Sequence, residues 1–538
     1  MITFRFDGRE LTAPDGATVA SALLGNGVVS WRETRRGGAP RGLFCGIGHC
    51  HDCLVTVNAG MPVRACQTQL RDADDIRSGA ASRGSAPATP APARVHADVA
   101  VVGAGPGGMA AALAAADVGC RVALIDSAPS PGGQIYRQPV TAPALPDRFR
   151  RLTTHPRITL LPDATVWQAG RDAGTFTLRC TGSRPQTVTA RAVVLATGAA
   201  ELVLPFDGWT LPGVITAGAA QALMKSTGTL PGSRILVAGT GPLLLRAAAD
   251  LVRHGATVVA VCDTARPAAQ PRHAIAALRH PAKLAEAARY ATTLARANPR
   301  PRILQGWAVL GAYGDGRVRQ ARVTNGRHTR MLAVDTVAVS HGLVPALELS
   351  RALGCHDEQL DGFPAAVVSV DASQQTTTPG VFAAGELTGI GGAAKAEPEG
   401  TLAGLSAARH AGATVTTRTR DLTRKIAQAR HFAALLARLY PLPEHWLDNL
   451  TPSTTICRCE ETTLADLTTA IGTAQAHDLR TIKGLTRCGM GYCQGRICGP
   501  VAQAITASLT GGNLATTGDL HTRHIATPVP LSELRAAT

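Results

Sequence analysis

The sequence predicts an α/β protein built on two nucleotide-binding βαβ folds, one inserted in the other, with a small cysteine-bearing module at each end. Three observations predict it. Residues 98–126 read DVAVVGAGPGGMAAALAAADVGCRVALID. Residues 234–263 repeat that design as RILVAGTGPLLLRAAADLVRHGATVVAVCD. Eight of the 13 cysteines fall into two groups, one near each terminus. Short apolar runs alternating with Ala-rich helical stretches mark a parallel sheet with crossover helices.

Composition narrows the class. The 538 residues are enough for about three or four domains, and 45% of them are hydrophobic. No apolar run approaches the roughly 20 residues of a membrane span, so no transmembrane segment is expected. The N-terminus, MITFRFDGRE, lacks the apolar core of a secretory signal. A cytoplasmic location is the default expectation, with peripheral attachment at the inner membrane face as its variant. The net charge of +16 raises the question of nucleic acid. Only five lysines contribute (Lys225, Lys283, Lys395, Lys425, Lys483), and the arginines are dispersed rather than interleaved with aromatics. No nucleic-acid partner is expected. Clustered cysteines in a reducing compartment point to metal or redox chemistry rather than disulfides.

Residues 1–80 form the first module. Ile2–Phe6 and residues 10–12 read as strands around an Asp7-Gly8 turn, and Val19–Gly25 as a short helix. Cys45, Cys50 and Cys53 have C-x4-C-x2-C spacing, and Cys66 follows a hairpin turning at Asn58-Ala59-Gly60. That is the plant-type [2Fe–2S] pattern. Gly46 and Gly48 let the loop wrap a cluster and aim N–H groups at its sulfurs. Zinc is the alternative, although its sites usually use paired C-x2-4-C knuckles. For His49 and His51 the alternatives are Rieske-like ligands and solvent-exposed spacers; they read as spacers, since four cysteines already complete the site. Residues 81–96, rich in Pro, Ala and Ser, read as a semi-extended linker.

Residues 97–205 carry the first βαβ fold. Val99–Val102 is a buried strand. Gly103 permits a tight turn, Gly105 lets a pyrophosphate approach the backbone, and Gly108 lets the helix pack on the strand. The helix over residues 110–118 offers its free N–H groups to phosphates. A second strand over residues 121–125 leads to Asp126, placed to accept from a ribose. Gly133 and Gln134, in PGGQI, run beside the nucleotide. Two further strands end in glycine turns, AVVLATG at residues 192–198 and VFAAGELTGIGG at residues 381–392. The latter belongs to the second part of this domain, residues 331–412.

Residues 206–330 hold the second fold, with Gly239, Gly241 and Asp263 in the equivalent places and Leu244 where the third glycine would stand. NAD(P), another adenine nucleotide, or an inherited fold that no longer accepts hydride remain alternatives here. Residues 413–452 read as a helical connector, residues 453–512 as the second cysteine module and residues 513–538 as a tail. In that module helices are expected over residues 462–471 and 479–485. Cys457 and Cys459 form C-x-C, and Cys488 and Cys493 form C-x4-C around Gly489-Met490-Gly491. The chain from Gln494 reads as a helix, which puts Cys493 at a helix N-terminus, where a thiolate is stabilised. Cys498 reads as packing. Zinc is again the alternative. The remaining cysteines, Cys120, Cys180, Cys262 and Cys355, read as small buried apolar residues.

The three glycine-ended strands resemble the two-dinucleotide-domain flavoproteins of the glutathione-reductase-like fold. The resemblance implies FAD, with Thr197 and Gly198 near the flavin and Gly385-Glu386 at the ribityl chain, where the superfamily more often has Asp. No cysteine pair stands in the place that its dithiol reductases use. Cys457, Cys459, Cys488 and Cys493 resemble the [2Fe–2S] module of bacterioferritin-associated ferredoxins. The runs PGGQIYRQ, FDGWTLPGV, GTGPLLLR, GELTGIGGA, ICRCEE and MGYCQGRICG resemble the FAD-containing alpha subunit of multisubunit amine and imino-acid dehydrogenases. That group includes opine oxidase, hydrogen cyanide synthase and proline or D-hydroxyproline dehydrogenases. Residues 1–80 resemble its small β-grasp ferredoxin-like subunit, here fused in front. The resemblance implies FAD, two [2Fe–2S] clusters, and FMN at a partner interface. It also implies a catalytic beta subunit of the glycine or D-amino-acid-oxidase type, and a quinone or cytochrome chain as acceptor. A self-contained NAD(P)H-dependent reductase and a non-enzymatic iron–sulfur carrier are the competing readings. No general base is named, because no carboxylate or histidine stands in a context that demands one.

Overall fold

The computed structural model describes residues 1–79, 92–138, 147–182, 185–267, 270–360, 365–512, 520 and 524–537. The chain divides into two compact units. One comprises Met1–Ser85, Glu201–Gly342 and Arg438–Leu520; the other comprises Ala86–Ala200, Leu343–Ala437 and His521–Thr538.

In the second of these, five parallel strands lie in the order Ile158–Leu161, Val122–Ile125, Val99–Val102, Ala192–Leu195, Val381–Ala383. Both faces are covered, so Val99–Val102, Val122–Ile125 and Ala192–Leu195 are buried throughout. Helices Pro106–Asp117 and Ala393–His410 pack almost backbone to backbone. A Cβ at Gly400 would lie 2.0 Å from the Gly107 carbonyl, and one at Gly404 2.2 Å from that of Ala111. A four-stranded sheet is added beside it: Ala164–Asp172, Thr175–Gly182, Gln186–Ala190 and Ala93–His96. The last strand corrects the linker expectation. Residues 93–96 pair in parallel with Gln186–Ala190, because Val95 packs on the core and His96 Nδ1 lies 2.7 Å from Thr189 Oγ1. Residues 80–91 of that linker lie outside the described residues, as does much of the tail.

The other unit repeats the parallel plan. Its sheet runs Val214–Thr216, Thr336–Ser340, Arg234–Gly239, Thr257–Asp263, Arg302–Gln305. Thr336–Ser340 is paired on both edges, so this sheet extends past the expected boundary at residue 330. The N-terminal segment folds as a mixed sheet in the order Arg9–Ala13, Ile2–Phe6, Asp75–Ser78, Leu54–Val57, Pro62–Arg64, with the helix Val19–Gly25 supplying Val19, Ala20 and Leu23 to the core. Near the C-terminus lie helices Leu464–Gly472, Leu479–Thr486 and Gly499–Thr510. The first starts at a capping box between Thr463 and Asp466. Among the described residues no helix is long and apolar enough to cross a membrane.

Candidate redox centres

The first glycine turn is built as its residues require. Gly103 has φ +100°, and a Cβ there would lie 2.3 Å from the Ala196 carbonyl. A Cβ at Gly108 would lie 1.7 Å from the Gly103 carbonyl, so the helix approaches the turn as closely as glycine allows. Gly105 precedes the helix and keeps an open face, with Gly133 Cα the nearest atom to its missing Cβ, at 3.9 Å. Gln134, next to Gly133, is exposed. Asp126 accepts from the N–H groups of Ala104 and Ala128, and burial raises its pKa. Thr197 Oγ1 donates to the Ala346 carbonyl at 3.0 Å, and Gly198 (φ +73°) has open space where a side chain would stand.

The late strand ends in a polar knot that motif reading missed. Gly385 N–H donates to Glu399 Oε2 at 3.0 Å. The Lys395 ammonium donates to the Gly385 carbonyl, Thr388 Oγ1 and Glu399 Oε2, each at 2.8 Å. Arg430 reaches the other Glu399 oxygen at 2.9 Å. Glu386 accepts from Gly391 and Gly392 N–H, both at 2.8 Å. The i,i+4 pair Lys395/Glu399 on a helix was the available signal. A cradle of glycine backbone, with carboxylates at Asp126 and Glu386, suits a dinucleotide with two hydroxyl-bearing chains.

The N-terminal loop gathers four buried thiols, Cys45, Cys50, Cys53 and Cys66. Cys45 is in hydrogen-bonding contact with Cys50 and Cys66, and Cys66 with Cys53. The N–H groups of His49 and Cys50 donate to Cys45 Sγ at 3.2 and 3.3 Å, and Asp52 N–H donates to Cys50 Sγ at 3.4 Å. Gly46 and Gly48, at φ +65° and +75°, turn the loop. Converging thiols under amide donors suit sulfur-ligated iron. The histidine expectation is corrected. His49 is half-buried and His51 is buried, because the tight turn (φ +61° at His51) directs the ring inward. Burial pushes the His51 pKa down to about 3.

In the C-terminal module the thiols of Cys457, Cys488 and Cys498 lie within 4.8 Å of one another, and Cys459 Sγ lies 3.8 Å from Cys493 Sγ. Two expectations change. The helix begins at Gly499, with Cys498 at its cap. Gln494 and Gly495 take φ +54° and +88°, which a helix cannot hold. Cys493 is therefore in a turn, and Cys498 joins the thiol group rather than the packing.

At the second glycine turn, Gly239 has φ +137°, and a Cβ there would lie 1.6 Å from the Ser340 carbonyl. Gly241 (φ +110°) has nothing within 4 Å of its missing Cβ. Leu244 is fully buried. Asp263 accepts from Ala265 N–H at 2.9 Å, and burial pushes its carboxyl up to about 6.

Comparison with known proteins agrees with this geometry. Residues 97–412 match the family described as pyridine nucleotide-disulphide oxidoreductase, and residues 1–80 match the 2Fe-2S iron-sulfur cluster binding domain. An opine oxidase subunit of Agrobacterium tumefaciens is 35% identical over 81% of this chain and 91% of its own. Hydrogen cyanide synthase subunit HcnB of Pseudomonas aeruginosa is 32% identical over 74% of this chain and 90% of its own. The crystal structure of L-proline dehydrogenase from P. horikoshii shares the fold, with TM-score 0.76 at 21% identity over 99% of this chain and 97% of that one. The chain belongs to the pyridine nucleotide-disulphide oxidoreductase family, among relatives that include opine oxidase subunits, and is an FAD-dependent oxidoreductase with a fused iron–sulfur domain.

Proposed function

We propose that this chain is the electron-transfer subunit of an amino- or imino-acid dehydrogenase complex acting on an opine, proline or hydroxyproline. One observation carries the reading: two separate sets of clustered thiols accompany a flavin fold in one chain. The relatives' names, opine oxidase and hydrogen cyanide synthase subunits, support a multisubunit context. The substrate would be oxidised in a partner of the glycine or D-amino-acid-oxidase type, with FMN at the shared interface, and a quinone or cytochrome chain would be the acceptor.

FAD exchanges electrons in pairs and [2Fe–2S] centres exchange them singly, so together they suit conversion between a two-electron oxidation and a one-electron acceptor. The chain's residues hold and insulate these groups. Gly103, Gly105, Gly108, Gly133 and Gln134 would line the FAD pyrophosphate, and Asp126 a ribose. Thr197, Gly198, Gly385 and Glu386 would line the flavin end. Cys45, Cys50, Cys53 and Cys66 would ligate the N-terminal centre. Cys459 and Cys493 would hold one iron of a second centre, and two of Cys457, Cys488 and Cys498 the other.

Purification from the native cell tests the reading. The expected result is a second, catalytic flavoprotein subunit in the complex and about four iron atoms per chain. Oxidation of the amine by the isolated chain at the rate of the complex would overturn it. The open face at Gly241 favours a second reading, a self-contained NAD(P)H reductase using Gly239, Gly241 and Asp263. Anaerobic NADH that leaves the flavin absorbance unchanged rejects that reading.

A further inference from the structure

The two cysteine groups meet at a buried ion pair between Asp52 and Arg458, with the Arg41–Glu461 pair as a second contact beside it. Asp52 stands between Cys50 and Cys53, and Arg458 between Cys457 and Cys459. Arg458 Nε donates to Asp52 Oδ2 at 2.7 Å, with the two side chains only 4% and 1% exposed. Further contacts hold Arg458 in place. Its Nη1 donates to the Trp209 carbonyl at 2.6 Å, and its guanidinium lies 3.9 Å from the Phe44 ring centre and 4.8 Å from that of Trp209. Arg41 Nη2 donates to the Arg458 carbonyl at 3.2 Å. On the other side, Arg32 Nε donates to the Asp52 carbonyl at 3.1 Å, and Arg32 Nη2 lies 3.7 Å from Asp52 Oδ1. One small cavity is lined by Cys50 and Asp52 from the first loop and by Cys457, Cys459, Cys493 and Cys498 from the second.

A buried ion pair is a poor device for stability, since desolvation offsets most of the attraction. It is a good device for fixing two elements at one spacing with a defined field between them. We propose that Asp52 and Arg458 hold the two iron–sulfur centres at direct electron-transfer distance and bias their potentials in opposite senses. The inference rests on the proposed second centre.

The step is a one-electron exchange. An iron held by the N-terminal thiols would go from ferrous to ferric as one held by the C-terminal thiols goes from ferric to ferrous. No bond changes and no proton moves. Reduced flavin is the ultimate reductant, and the one-electron acceptor is the oxidant. The carboxylate beside the first centre opposes its reduction, and the guanidinium beside the second favours reduction there. Low local dielectric strengthens both effects. Asp52 and Arg458 offset one another, and Arg32 offsets the carboxylate further, so the guanidinium has the larger net influence. Asp52 and Arg458 are positioning residues in this scheme.

The test is potentiometric EPR on the full chain, with iron and sulfide counted on the same samples. In the fully reduced wild type, the two signals are expected to show spin–spin broadening beyond the sum of the singly reduced spectra. Arg458→Met is expected to lower the potential of the C-terminal centre by about a tenfold change in its reduced-to-oxidised ratio, which is about 59 mV for one electron. Asp52→Asn should raise that of the N-terminal centre by less, and Arg458→Lys should restore most of the C-terminal potential. Additive spectra at full iron content, or unmoved potentials in both charge-removing variants, would overturn the proposal. About two iron atoms per wild-type chain would instead overturn the second centre itself, and the proposal with it. If Arg458→Met fails to hold iron, the wild-type spectra and Asp52→Asn still decide.

Discussion

Gly103 and Gly239 open the same strand-to-helix turn in two different units, and both are glycine for the same reason. The missing Cβ of each would strike a carbonyl at the C-terminal end of the neighbouring parallel strand, that of Ala196 just past Ala192–Leu195 in one case and of Ser340 in the other. Each carbonyl begins a three-residue turn, Ala196-Thr197-Gly198 or Ser340-His341-Gly342, and both turns end in a glycine with positive φ. The two folds part at the third motif position. Gly108 brings its helix against the turn, whereas Leu244 fills that place with a fully buried side chain. Gly133 lies close over the first turn, whereas nothing lies within 4 Å of the missing Cβ at Gly241. One position thus serves close approach of helix to turn in the first fold and core packing in the second. The βαβ frame is compatible with either.

The sharpest way to break the comparison is to exchange these roles. In Gly108→Val the new Cβ would lie 1.7 Å from the Gly103 carbonyl. Backbone cannot yield that far, so the helix must move away from the turn. The expected outcome is near-complete loss of bound FAD, read as the flavin absorbance of the purified chain. Retention of wild-type flavin would show that close helix approach is not what the third glycine provides. The opposite exchange is smaller. Leu244→Ala removes a fully buried side chain and should cost about 3 kcal/mol, within the usual range for such core truncations. Denaturant unfolding measures it, and flavin content should stay at the wild-type level. Unfolding at wild-type denaturant concentrations would show that Leu244 does not serve core packing.

What could be read from the sequence follows the range of the signal. Val99–Val102, the glycines after it and Asp126 lie within one βαβ unit, so local spacing carries the design. The same holds for Cys45, Cys50 and Cys53 in one loop. Local reading failed where a few backbone angles decide. Gln494 and Gly495 turn through positive φ, and this alone moves the helix start to Gly499 and brings Cys498 to Cys457 and Cys488. It failed completely for Asp52 and Arg458. They are 406 residues apart, and only tertiary folding shows that the residue inside one cysteine motif answers the residue inside the other. The Ser340-His341-Gly342 turn lay between these cases. Its likeness to Ala196-Thr197-Gly198 is local, but it becomes visible only once both turns are seen facing a motif glycine.

That turn supplies the smallest of the expected effects. Thr197 and His341 occupy matching places, yet only His341 titrates. It is buried, its Nδ1 accepts from Leu204 N–H at 3.2 Å, and burial lowers its pKa to about 4. The ring is therefore neutral in the folded chain at pH 7. In the unfolded chain it takes up a proton near pH 6.5. Between these values the unfolded state binds more protons, so stability is full above about pH 6.5 and falls as the pH drops toward 4. From pH 7 to pH 5 the loss due to His341 should be about 2 kcal/mol. His341→Gln keeps an acceptor for Leu204 but cannot titrate. Its stability should therefore decline less than that of wild type over this interval, by about that amount, with other groups common to both chains cancelling in the difference. Parallel curves for the two proteins would mean that His341 is protonated in place. The second turn would then tolerate a charge where the first holds a threonine, and the two sites would differ in polarity as well as in packing.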